Sequence, residues 1–308
     1  MALTYNEITA IAQNAIEKTL TDNVFKSTPF LARLRAKQKK VAGGVKIQEP
    51  IIGSKTTSGG WYEDVDALTI TKQDNMTAAV FDWRQLYESV RISRLDLAKT
   101  SGDAGKLDLV SSKIKIAEAS IAENLSAGIF SAGGSKKIDG LGAIMSDSTT
   151  YAGIAPADLV TWKANVLGNS AVDRDLTLAL LQKLDGACTD GKYAPTLFLA
   201  QQAVYDVAYN LYTPFQRIES EEIAKLGFKS IMVNGKPMIV DANMAAKAVY
   251  AVNEEFLKLV VNSDNDMRKE HHASLETTDS MLTKIFWMGN IVCPKRSAHG
   301  ALLDIDVA

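Results

Sequence analysis

Asn234-Gly235 lies between two short apolar runs, Ile231 to Val233 and Met238 to Val240. Both residues tolerate positive φ, so the pair predicts a two-residue type I′ turn, and a turn of that length fixes the register of the strands it joins. In that register Met232 faces Pro237 in a pair that exchanges no mutual hydrogen bonds. The missing proline N–H then points away from its partner, and the strand is expected to be an edge at that point. Beyond Asp241, Ala248 to Val252 and Phe256 to Val261 are short, apolar and β-branched, with Asn253-Glu254-Glu255 as the turn between them. The stretch from Leu226 to Val261 is therefore a dense piece of sheet, and none of it forms a catalytic grouping.

Sheet of this density needs a core. A chain of 308 residues, 46% hydrophobic and 23% charged, can bury a large one, as one elaborate domain or two lobes. Met1 to Leu20 lacks the cationic start and apolar core of a signal peptide, and no run approaches the ~20 apolar residues of a membrane span. Cys188 and Cys293 stand far apart and outside any metal spacing, which predicts free thiols in a reducing compartment. The net charge of -2 argues against a dedicated nucleic-acid binder. Local charge is less even. No acid falls between Asp22 and Glu49, where Lys26, Arg33, Arg35, Lys37, Lys39, Lys40 and Lys46 form a basic arm. A salt-paired surface segment is favoured for it over a polyanion contact.

Taken in order, Tyr5 to Leu20 predicts a helix with Ile8, Ala12, Ile16 and Leu20 on one stripe. Thr28 to Lys40 reads as an extended or loosely tethered arm with no packed core. Val45, Ile47, Glu49 and Ile51 alternate as a strand until GSKTTSGG (Gly53 to Gly60) interrupts it, and Trp61-Tyr62 leads into an acidic patch at Glu63, Asp64 and Asp66. Thr77 to Ser93 is strand-like, with Phe81, Trp83 and Tyr87 on one parity and Val90 and Ile92 on the other, so a bulge is expected between them. Gly43 to Ser93 thus forms a long ribbon with too few apolar residues for a core of its own, and it needs a partner surface. Leu107 to Ile129 predicts a rod helix of about 35 Å ended by Gly133-Gly134. Leu176 to Leu184 is helical with Asp173 or Asp175 as cap, and Asp185-Gly186 and Asp190-Gly191 are turns. Thr196 to Ala200 is a buried strand and Gln201 to Leu211 a helix. Asn262 to His272 is a polar break, Met281 to Cys293 a long strand, and Ala301 to Val307 an alternating last one.

Candidate chemistry is thin. Adjacent His271-His272 would point to opposite faces with no third ligand nearby, so a solvated turn is expected. The Asp-x-Asp pairs at Asp64/Asp66, Asp173/Asp175, Asp264/Asp266 and Asp304/Asp306 have the chemistry of a cation-dependent transferase, but turn and cap roles fit them better. The glycine groups match neither a P-loop nor a complete dinucleotide fingerprint. Trp61, Tyr62 and Trp83 have the faces to stack on bases, and packing on the ribbon is the simpler role.

The order of parts is helical arm, basic segment, β-ribbon, rod helix, mixed lobe and returning strands. With VAGGVKIQEPII (Val41 to Ile52), FDWRQLYESVRIS (Phe81 to Ser93), KLDLVSSKIKIAEASIAENLSAGIF (Lys106 to Phe130), IDGLGAIM (Ile138 to Met145), NGKPMIVD (Asn234 to Asp241) and VYAVNEEFLKLV (Val249 to Val260), the chain resembles the major capsid proteins of tailed bacteriophages, over essentially its whole length. It departs at Ala245-Ala246-Lys247, where such proteins often carry proline or glycine.

The resemblance implies an α+β Hong Kong 97-like fold: an N-arm (1–42), an extended β-loop (43–93), a peripheral domain with the spine helix (94–154), an axial domain (155–262) and a return to the peripheral domain (263–308). It implies hexamers and pentamers closing into an icosahedral shell around double-stranded DNA bound without sequence-specific contact, in a virion assembled in the bacterial cytoplasm. It carries over no catalytic residue, cofactor, metal or membrane. Portal and decoration proteins are implied partners, and a separate scaffolding protein is expected because the chain leaves no room for a long N-terminal scaffold. The opposite charge of the two segments leads to the expectation that Arg33, Arg35, Lys37, Lys39 and Lys40 pair with Glu63, Asp64 and Asp66 of an adjacent subunit, with Trp61 and Tyr62 as further candidate contacts between subunits. The Asn234, Gly235 and Pro237 hairpin is expected to shape how neighbours meet near a capsomer centre.

Overall fold

Apolar runs of four or five residues are long enough for strands buried on both faces, and such runs build the centre of the molecule. The computed structural model describes residues 28–64, 66–68, 71–99, 102–134, 136–212, 230–274 and 280–307. In chain order the elements are α1 (Pro29–Ala36), β1 (Lys39–Val41), β2 (Ile47–Ile52), β3 (Met76–Phe81), β4 (Arg84–Ser93), α2 (Arg94–Lys99), α3 (Gly102–Ile129) and α4 (Leu141–Ile144). Then follow β5 (Asn165–Leu167), α5 (Leu178–Cys188), β6 (Leu197–Ala200), α6 (Gln202–Tyr212), β7 (Ser230–Val233), β8 (Lys236–Val240), β9 (Val249–Val252) and β10 (Lys258–Asn262). The last are β11 (Arg268–Ser274), β12 (Ser280–Val292) and β13 (Gly300–Leu302).

A six-stranded sheet runs β5-β13-β9-β6-β8-β7. Its central strands alternate strictly between two cores. Leu197, Leu199, Ile239, Tyr250 and Val252 face the larger core, whereas Phe198, Ala200, Met238, Val249 and Ala251 pack against α5 and α6. A second sheet runs β1-β10-β12-β11, with β4 also paired along β12. One of its faces lies on α3, where Ala117 and Ile121 meet Val90, Ile92 and Ile285. The larger core continues between the sheets through Val260, Trp287 and Ile291.

The hairpin register is as the turn chemistry requires. Asn234 and Gly235 take φ of 51° and 74°, and Met232 faces Pro237. The edge expectation holds only locally. β8 is an interior strand, but its parallel pairing to β6 begins at Met238, so Pro237 sits one residue outside the ladder where a missing N–H costs nothing.

Several expectations are corrected. Residues 29–36 form a helix, and Phe30, Leu31 and Leu34 are buried in the main core, with the Phe30 and Phe130 rings 5.9 Å apart. The cationic side chains disguised that apolar stripe. The parity change is a sheet change and not a bulge: the chain leaves the ribbon at Asp82-Trp83, and β4 then pairs without interruption from Arg84 to Ser93, leaving Tyr87 exposed. Thr177, not Asp173 or Asp175, caps α5 by accepting the Leu180 N–H, and Asp185-Gly186 lies inside that helix. His271-His272 falls in β11, not a turn. The last strand is confined to residues 300–302 and is buried throughout. The helix expected at Tyr5 to Leu20 lies outside the described residues.

Candidate subunit interface

The ribbon is β2 paired with β3, from Ile47 opposite Phe81 at its base to Ile52 opposite Met76. Alternation along it puts Ile47, Ile51, Ala79 and Phe81 on one buried side. That side is covered by its own chain. Phe81 meets the Tyr151 ring edge-on at 5.4 Å, and the Val80 N–H donates to the Ala152 carbonyl at 3.0 Å. Trp83 packs at the base, where its indole N–H donates to the Gly44 carbonyl at 2.8 Å.

Beyond Ile52 the apolar side chains face solvent: Ile52 is 79% exposed, Met76 70%, Tyr62 68% and Leu68 64%, and Trp61 is fully exposed. The tip is held by polar cross-links instead. Ser54 donates to Asn75 and Gln73 to Thr57, while Asn75 reaches Thr56. Glu63 and Asp66 close a turn on each other, Asp66 accepting the Glu63 N–H at 3.0 Å. Glu63, Asp64 and Asp66 are exposed and meet no cation among the described residues.

The arm is tied to its own subunit. Arg33 forks onto Glu254 with both N–O distances 2.7 Å, and Lys37 lies 3.6 Å from the same carboxylate. Burial raises the Glu254 pKa, but the Arg33 fork and Lys37 outweigh it and leave the carboxyl below its ordinary value. Lys39 reaches Glu49 at 3.4 Å and Lys40 reaches Asp266 at 2.8 Å. Arg35 is half-buried, with one guanidinium nitrogen unpaired among the described residues. Near the start of α1 the Asp241 carboxylate accepts the Asn243 N–H at 3.0 Å, its other oxygen has no partner among the described residues, and burial raises its pKa. The structure thus gathers Arg33 and Lys37 around Glu254 and keeps the arm's cations apart from the acidic tip of the same chain. Glu254 had read only as a turn residue. That turn carries the chain from one sheet to the other, and this is what buries it.

The hairpin is anchored too. Lys236 pairs with Asp185, and the Asn234 amide donates to Asp185 at 3.3 Å. The Asp-x-Asp carboxylates serve in turns and bridges: Asp173 binds Lys247, Asp266 binds Lys40, and Asp304 accepts the Asn169 N–H at 2.7 Å. Lys247 takes a φ of 57°, the left-handed conformation for which glycine is the usual choice.

Two buried groups escaped the sequence reading. Arg296 places all five N–H donors on the carbonyls of Ala143, Ile144, Ser146, Thr149 and Trp162. His299, wholly buried, accepts the Asn253 N–H on Nδ1 at 3.2 Å, and burial pushes its pKa down to about 3. The Cys188 and Cys293 thiols are pushed up to about 12 by burial. Among the described residues no His, Cys, Asp and Glu cluster could hold a metal ion, and no helix is long and apolar enough to cross a membrane.

No protein-family model and no curated protein matches the chain. Solved structures do. The capsid protein of cyanophage A-1(L) is 17% identical, with a TM-score of 0.75 over 95% of this chain and 96% of that one. The capsid protein of the native GTA particle is 11% identical, with a TM-score of 0.64 over 95% and 96%. The SrpI encapsulin of Synechococcus elongatus PCC 7942 is 11% identical, with a TM-score of 0.63 over 100% and 98%. Likeness at this identity is a statement about architecture, and it extends over nearly every residue of each partner. The chain has the α+β Hong Kong 97-like capsid fold.

Proposed function

We propose that the chain is a major capsid protein of a tailed bacteriophage, assembling as hexamers and pentamers into an icosahedral shell around double-stranded DNA. The observation that carries this is the ribbon: its base is seated on its own subunit, while its tip presents Trp61, Tyr62, Leu68 and three carboxylates to solvent. Exposed aromatics at the end of a projecting ribbon are expensive in a monomer and useful when a neighbour covers them. The division into arm (1–42), extended loop (43–93), peripheral segment with the α3 spine (94–154), axial segment (155–262) and return (263–308) belongs to the same proposal. So do scaffolding, portal and decoration partners and assembly in the host cytoplasm.

The tip and the Asn234, Gly235 and Pro237 hairpin are proposed as inter-subunit contacts. Lys37, Lys39 and Lys40, whose side chains are 62%, 56% and 54% exposed, are proposed to meet the Glu63, Asp64 and Asp66 patch of an adjacent subunit. Reversing both sets of charge should then rescue assembly lost on reversing one.

Electron microscopy of the purified chain should show closed shells, and deletion of Lys55 to Gly59 should leave folded soluble subunits that form none. Shells of normal size from the deletion would overturn the role given to the tip. The full-length likeness to the encapsulin favours one other reading, a shell around protein cargo. DNA protected from nuclease inside purified particles supports the capsid reading, and protein cargo without DNA supports the other.

A further inference from the structure

A cavity of 370 Å³ lies between the C-terminal half of α3, the start of β4, β12 and the segment Lys136 to Ile138. Its polar lining is Arg84, Gln85, Asn124, Lys136, Lys137 and Trp287; among the described residues three cations and no carboxylate line it, and of the cations Arg84 already lies 3.8 Å from Asp139. Trp287 is 1% exposed, and its indole N–H has no acceptor among the described residues. A buried donor without a partner carries a free-energy cost that a bound acceptor would remove. Lys136 and Lys137 are exposed at the mouth and pair with no carboxylate among the described residues. Leu86, Leu125 and Ile138 supply apolar wall, and the volume is that of a small-ligand pocket.

We propose that this cavity is a binding site for a carboxylate carried on an aromatic or aliphatic body. The carboxylate sits among Arg84, Lys136 and Lys137, an acceptor atom meets the Trp287 N–H, and the apolar body lies on Leu86, Leu125 and Ile138. Occupancy joins α3 to β4 and β12, so a ligand bound there stabilises the packing of the long helix on its sheet. Two sources carry this chemistry: a free amphipathic acid, or a carboxylate flanked by aromatics on a second copy, as Glu63 is beside Trp61 and Tyr62. The chain's own tip is a poor source. The cavity adjoins the ribbon base, and six strand residues at about 3.3 Å each put the tip ~20 Å away.

The test uses unassembled full-length subunits and reads thermal midpoint against ligand concentration for 4-phenylbutyrate, 4-phenylbutan-1-ol and a peptide copying residues 59 to 68. A saturable rise with phenylbutyrate and none with the alcohol is expected. Lys136→Glu combined with Lys137→Glu, both at the exposed mouth, should weaken binding at least about tenfold without altering the unliganded midpoint, and Trp287→Phe should weaken it as well. Stabilisation by the peptide but not by the free acid supports the site and assigns it to a second copy. The proposal is overturned if neither acid nor peptide binds, if the alcohol does as well as the acid, or if the double glutamate variant keeps full affinity. The readout needs no shells, so it stands or falls apart from the capsid reading.

Discussion

Arg296 offers the sharpest test of how the ribbon is seated. Its guanidinium is fully buried, has five N–H donors and meets five backbone carbonyls between Ala143 and Trp162, with no carboxylate among them. The loop it gathers is the one whose Ala152 carbonyl and Tyr151 ring receive the ribbon base. Lysine has three donors, so Arg296→Lys withdraws at least two of the five bonds; the Ser146 carbonyl keeps the Ala164 N–H and Thr149 is exposed, so the cost is about 1–3 kcal/mol.

Arg296→Met takes the guanidinium from the Ala143, Ile144 and Trp162 carbonyls, while Ser146 keeps the Ala164 N–H and Thr149 is exposed, but it also removes a buried charge, whose desolvation costs several kcal/mol. These terms oppose each other. A bonded network this complete should still win, and we expect Arg296→Met to lose about 3 kcal/mol or more. Urea unfolding of unassembled subunits, followed by tryptophan fluorescence, measures it. Hydrogen exchange gives the local readout: amides of residues 143–162 should lose protection while those of β6 and β9 keep theirs. Arg296→Met within about 1 kcal/mol of the parent chain would refute the reasoning, because the charge, not the carbonyls, would then decide the balance.

Glu254→Gln removes half of a fork whose carboxylate is 7% exposed and should cost about 2–4 kcal/mol in the same assay. Acid titration should show two opposite slopes in the thermal midpoint. Asp241, with a raised folded pKa, favours the fold as pH falls through that value; Glu254, with a lowered one, contributes stability above its unfolded pKa of ~4.3 that is lost as pH falls through its folded value. Glu254→Gln should abolish the second slope alone. Gly289→Ala places a Cβ 2.5 Å from the Val260 carbonyl and 2.7 Å from the Trp287 ring, and should cost about 3 kcal/mol or leave the subunit insoluble. Trp61→Ala should change subunit stability by no more than about 0.5 kcal/mol and yet prevent shells seen by electron microscopy. Neither cysteine should react with a thiol reagent at pH 8 until urea unfolds the chain, given thiols held near 12.

Local chemistry that is also global was legible from residue order. Asn234-Gly235 needs only its own φ angles to set Met232 against Pro237, and the stripe from Val110 to Ile129 needs only helical spacing. What escaped depends on contacts hundreds of residues away. Glu254 is an acid in a turn until Arg33 arrives from 221 positions upstream, and Arg296 is one cation among many until five carbonyls from about 134 to 153 positions away converge on it. The parity change before Val90 was visible, but a bulge and a change of sheet leave the same trace in the pattern. Only the partner strand, β12, tells them apart.

The placement of these long-range ties bears on assembly. The chain passes from the ribbon to the second sheet at Asp82-Trp83 and from the six-stranded sheet to the second at Asn253 to Leu257, and both of these crossings are fastened on their own subunit. Lys46 lies 3.2 Å from Asp82 and Trp83 donates to Gly44, while Arg33 and Lys37 hold Glu254. A continuous core between the sheets then makes relative sliding costly, since any shift would open voids in close-packed apolar contacts. The ribbon beyond Ile52 is the contrasting part, joined by exposed polar cross-links and bearing apolar groups that no described residue covers. On the proposed capsid reading, the geometry needed for subunits to meet is fixed before they meet, and adaptation to different neighbours falls to the tip. If so, tip variants should change which assemblies form, and variants at the two crossings should change whether the subunit folds at all.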